Sequence, residues 1–89
     1  MHSINIETDC GNSWGTNING TKASVVEYYF SNQFNIGRES DHMVWVYRVT
    51  FDDGTQVCRC PNPAAFELIR PGSEKVYDSF VEILELLEE

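Results

Sequence analysis

No apolar run in this 89-residue chain approaches the roughly 20 residues needed to cross a bilayer as a helix. Bases are scarce: six Lys and Arg stand against fourteen Asp and Glu, a net charge of −8. That balance disfavours nucleic acid and anionic membranes as direct partners. Cysteine is confined to Cys10, Cys58 and Cys60, an odd number that argues against a disulfide framework. The opening Met1-His2-Ser3-Ile4-Asn5 has neither the basic nor the apolar region of a secretory signal. A cytoplasmic location is therefore expected, with Asn19-Gly20-Thr21 a turn that carries no glycan. Also lacking are a Gly-rich phosphate loop, a His-Glu-x-x-His and a Gly-x-Ser-x-Gly motif. The expectation is a non-enzymatic protein without a cofactor.

What is present is enough for one domain over residues 1–89. Eleven aromatic residues supply large buried areas to a core that is thin at this length. Ile4 and Ile6 alternate with polar neighbours, as in a short strand. Residues 10–20 read as a loop with an extended piece near Gly15–Ile18. Thr21 suits the N-cap of a helix ending near Gln33, and Gly37 to His42 a polar loop.

Met43 to Phe51 alternates as a strand, with Met43, Trp45, Tyr47, Val49 and Phe51 on one face. Asp53-Gly54 predicts a two-residue hairpin turn, and Thr55 to Cys60 the returning strand, stopped at Pro61-Asn62-Pro63. A short helix over Ala64 to Arg70, a break at Pro71-Gly72 and a final helix from Ser73 to Leu87 complete the reading. The fold class expected is α+β: a small two-layer domain with an antiparallel, hairpin-based sheet of about two or three strands. A central helix and a C-terminal acidic amphipathic helix pack on that sheet, in the order β-α-β-β-(α)-α.

Charge concentrates at the C-terminus. As a helix, Glu74, Asp78, Glu82, Glu85 and Glu89 fall within an arc of about 80°, outside an apolar arc of roughly 160°. Like charges at these spacings oppose each other, and acids in the last turn oppose the macrodipole. Such local conflict points to a role in binding as well as to simple solvation. The functional expectation is an inhibitor or decoy whose carboxylates occupy a basic, nucleic-acid-binding surface of a partner protein. Small acidic proteins that phages and mobile elements direct at restriction or CRISPR machinery are an analogy of charge and size. A stripe with one charge per roughly 4–5 Å is sparser than duplex DNA, at one per 1.7 Å. Help is expected from Glu7, Asp9, Glu39, Asp41, Asp52 or Asp53, or from a second copy of the chain.

Three further readings arise. A two-residue turn sets Arg48 opposite Arg59, and opposed like charges call for an anion between them. Glu27 or Glu67 would serve internally, and a bound anion or a partner's carboxylate externally. The same register sets Cys58 and Cys60 on the aromatic face, as core thiols or, with Cys10 and His42, as a zinc module. Finally, strand 55–60 as a free edge, with Leu86 off the apolar arc, suggests self-association into a homodimer.

Overall fold

The computed structural model describes residues 1–35, 43–60 and 65–88, with Cys60 described in its backbone only. Its elements are β1 (His2–Thr8), β2 (Ser13–Ile18), α1 (Lys22–Ser31), β3 (Gln33–Asn35), β4 (Met43–Phe51), β5 (Gln56–Cys60), β6 (Ala65–Arg70), β7 (Ser73–Tyr77) and α2 (Phe80–Leu87). All strands join one antiparallel sheet in the order β2-β1-β4-β5-β6-β7, with β3 also on β4. The domain is mostly β, and the expected α+β fold with a two- or three-stranded sheet is corrected to this seven-stranded one.

A single apolar row explains the sheet. Ile6 lies opposite Val49, Val49 opposite Val57, and Val57 opposite Leu68, all buried. Residues directly opposed on adjacent strands share a face, so this row forms one floor. Helices α1 and α2 pack on it through Ala23, Val25, Val26, Tyr29, Phe30, Ile83 and Leu87. Among the described residues neither helix covers the other face, which carries Asn5, Thr50 and Gln56 in register.

Helix α1 starts where expected: Thr21 is its N-cap, and its hydroxyl accepts from Ser24 N–H at 3.1 Å. It ends two residues early, because Asn32 is extended and the chain turns into β3. Residues 13–18, read as mainly loop, form β2 throughout.

Residues 65–77 differ most from expectation. Arg70 pairs with Ser73 across Pro71-Gly72, and Gly72 has φ +83°. Proline followed by a glycine at positive φ is what a type II turn requires, so the dipeptide joins two strands where a break between two helices was expected. The expected helices 64–70 and 73–87 are replaced by β6, β7 and an α2 of only eight residues.

The β4–β5 hairpin is longer than expected by one residue. Arg48 pairs with Cys58 and Thr50 with Gln56, so the loop is Asp52-Asp53-Gly54, with Gly54 at φ +96°. Gly54 N–H donates to Phe51 O at 3.1 Å, the form of a type I turn closed by a left-handed glycine. The slip moves Val57, Cys58 and Arg59 to the face opposite the expected one. Arg59 therefore does not oppose Arg48, and Cys58 is not beside Val49.

β4 itself carries a bulge. Glu7 pairs with Arg48 but Thr8 with Val46, leaving Tyr47 extra. The buried positions shift phase across it, from Val44 and Val46 to Val49 and Phe51. The continuous face Met43-Trp45-Tyr47-Val49-Phe51 is thereby split, and Met43 and Trp45 are exposed.

Asp53 holds the hairpin. Its Oδ1 accepts from Thr55 N–H at 2.9 Å and its Oδ2 pairs with Lys22 Nζ. The Lys22 hydrogen bond first, and the Thr55 backbone second, lower its pKa from 3.8 to about 2. The folded carboxyl releases its proton more readily than the unfolded one, so the pair stabilises the fold above about pH 4 and stops doing so as pH falls through about 2. The pair is largely solvated, so its worth is below about 1 kcal/mol. Thermal melts between pH 5 and 2 are expected to fall for the wild type and to fall less for Asp53→Asn. Parallel curves for the two proteins would remove this account.

Candidate functional site

The acidic surface of the C-terminal segment is built on a shorter scaffold than expected. In α2, Phe80 packs on Phe30 and Phe66 with ring centroids 5.9 and 4.7 Å apart, and Ile83 and Leu87 are buried. Val81, Glu82, Glu85 and Glu88 face outward. Glu82 lies in the first turn, which favours an acid, while no base occupies the last turn near Glu85.

Glu74 lies on β7 and Asp78 in the bend after it, both exposed. The single helical ridge from Glu74 to Glu89 is thus corrected to two groups, one on a strand and bend and one on α2. Glu39, Asp41, His42 and Glu89 lie outside the described residues. Asp52 is exposed in the hairpin loop beside Asp53.

Among the described residues the cations are mostly engaged elsewhere. Lys22 serves Asp53, and Lys75 lies over the Tyr77 ring at 5.2 Å. Arg48 approaches Glu7 at 3.9 Å and lies over Tyr47, while its Nε is buried without a hydrogen bond. Burial pulls the Arg48 pKa down, but Cys58 and Glu7 outweigh it and hold the guanidinium above its ordinary value. Arg70 lines a small cleft with Lys22, Thr55, Leu86 and Leu87. Among the described residues the two ion pairs use Glu7 and Asp53, so Glu74, Asp78, Glu82, Glu85 and Glu88 enter none.

Arg59 is the residue whose role sequence reasoning missed. Beyond Arg48–Cys58 the β4–β5 register stops, at the bulge, and the Arg59 side chain enters there. Its Nε donates to Val46 O at 3.2 Å and its Nη2 to Phe30 O at 2.9 Å. Phe30 is in the last turn of α1, where carbonyls lack helical partners. The guanidinium stacks within 5.2–5.7 Å of Phe30, Trp45 and Phe66. Burial lowers its pKa, opposed by Asp9. The carboxylate expected between two arginines is replaced by two carbonyls and three rings.

The two cysteines whose side chains are described lie apart. Cys10 is exposed in the β1–β2 turn, and Cys58 is buried beside Arg48 on the face away from the helices. Among the described residues no three His, Cys, Asp or Glu side chains are gathered to hold a metal. A shallow depression of about 420 Å³ lies on that same face, lined by Ser3, Asn5, Gly15, Asn17, Thr50 and Asp52 among others. Two of its polar groups bond each other: Ser3 Oγ donates to Asn17 Oδ1 at 2.8 Å.

Comparison with protein-family models, curated proteins and solved structures finds no match for this chain. Among the described residues no helix is long and apolar enough to cross a membrane.

Proposed function

We propose that this chain is a non-enzymatic, cytoplasmic binding module that docks its carboxylates on a basic patch of a partner protein, where nucleic acid would otherwise bind. One observation carries the reading. Among the described residues Glu74, Asp78, Glu82, Glu85 and Glu88 are exposed and enter no ion pair, while most cations are occupied elsewhere. Solvent-facing charge of one sign steers an opposite surface into contact.

Magnitude narrows the partner. Glu82 to Glu88 spans about 9 Å of helix, three carboxylates at roughly 4–5 Å each. Duplex DNA carries one charge per about 1.7 Å, so α2 fits a compact Lys/Arg patch or a single-strand site better than a duplex groove.

The test is Glu82→Lys with Glu85→Lys. The first change opposes the helix dipole and the second favours it, so stability is expected to change by less than about 0.5 kcal/mol. Salt-sensitive capture of a Lys/Arg-rich protein from host lysate should fall more than about tenfold, and single-stranded oligonucleotide should displace whatever the wild type captures. Equal capture by the double variant would end the proposal.

A further inference from the structure

Among the described residues the main path of the sheet ends on β2 and β7. β3, paired to β4 alone, is a third edge of only three residues, a length that itself discourages pairing. Of the two longer edges only one is defended. β7 carries Glu74 and Lys75 and follows Pro71. Charges and a nearby proline are the devices that keep a free edge from pairing with another chain. β2 reads Ser13-Trp14-Gly15-Thr16-Asn17-Ile18, with no charge and no proline. It is paired to β1 without interruption from Ser13 to Ile18, and no bulge bends it. Strand β5, expected as the free edge, lies between β4 and β6, and Leu86 is partly buried against the core.

β2 is also complementary to itself. Turned about a two-fold axis at Thr16, it sets Thr16 opposite the partner's Thr16 and Trp14 opposite the partner's Ile18. Trp14, Thr16 and Ile18 lie on the helix-bearing face, since they oppose Ile6, Ile4 and His2. Trp14 and Ile18 already pack against the core, so the pairing would extend the apolar floor across the junction. Thr–Thr and aromatic–β-branched pairs are the cross-strand combinations that stabilise antiparallel strands. Gly15 meets the partner's Asn17 on the other face, without crowding.

We infer that β2 is a homodimerisation edge, joining two sheets through antiparallel β2–β2 pairing. The occupant is a second copy because the strand is neutral in a chain of net charge −8. Two such molecules repel, and an uncharged edge is where that repulsion is least. Salt screens the repulsion, so the dimer tightens as salt rises, whereas docking on a basic partner weakens. The two proposals therefore respond to salt in opposite directions and fail separately.

Sedimentation of the full chain from 10 μM to 1 mM, at 50 and 500 mM NaCl, decides the matter. The expected result is a monomer–dimer equilibrium shifted toward dimer at the higher salt. Thr16→Lys sets two ammonium groups opposite each other at the centre and should raise the dissociation constant more than tenfold. A wild type monomeric at 1 mM, or a dimer that survives Thr16→Lys, overturns the inference. If that variant does not fold, amide exchange of the wild type decides instead. Alternate β2 amides should slow as concentration rises, and exchange independent of concentration overturns the proposal.

Discussion

Arg59→Ala lowers the unfolding free energy by about 3 kcal/mol, the largest expected effect of any single charged residue here. The substitution strips Phe30 O and Val46 O of a charged donor, and a buried carbonyl left unpaired costs about 1–3 kcal/mol. It also removes a cation from three ring faces, each contact worth about 0.5–1 kcal/mol. Nothing local compensates, since α1 has no basic residue in its last turn. For a domain of this size the loss lowers Tm by roughly 12–24 °C. Arg59→Lys should recover less than half of it, because an ammonium cannot stack flat and fork to two acceptors. A urea midpoint for Arg59→Ala matching the wild type would show that Arg59 bridges nothing of consequence.

Ile83→Ala is expected to cost about 2–4 kcal/mol, through lost transfer energy and the cavity left behind. Ile83 is fully buried between the sheet floor and α1. Helix α2 has only eight residues, far below the length at which an isolated helix holds in water. Its order is thus borrowed from Ile83, Leu87 and Phe80. In amide exchange, protection over 80–87 should collapse toward that of a free peptide while β1, β4 and β5 stay slow. Glu82 and Glu85 lose their fixed spacing with it, so partner binding should weaken in the same variant. If α2 amides remain as protected as those of the central strands, the anchoring role assigned to Ile83 is wrong.

The sequence was informative where one signal had no rival. Thr21 capped a helix because its hydroxyl reaches a backbone N–H three residues on, and β1 and β4 followed from alternation. Misreadings came where two physical solutions shared a pattern. Ala65 to Arg70 is too short for periodicity to separate strand from helix, and Pro71-Gly72 both stops helices and makes type II turns. Asp53-Gly54 marked the hairpin, but Asp52 joined the loop and the register slipped by one. That slip relocated Cys58 and Arg59 together. From Met43 to Tyr47 both faces of β4 are apolar, so nothing in the residues announces that Tyr47 bulges and that Val46 replaces Trp45 in the core. Composition gathers the acids in the last sixteen residues, but their arrangement depends on a helix that begins only at Phe80. Arg59 had no legible signal, because capping a helix from a distant strand leaves no local spacing to read.

The sheet's connectivity has a kinetic corollary. β4, β5, β6 and β7 are successive antiparallel neighbours that follow one another closely in the chain, so each pairing closes a small ring. β1 instead reaches β4 across roughly 45 residues that include β2, α1 and β3, and β2 belongs to the sheet only through β1. Loop-closure entropy favours assembling the carboxy-terminal meander first and zipping the amino-terminal pair on afterwards. The edge that invites a second molecule is then also the piece of sheet laid down last and lost first.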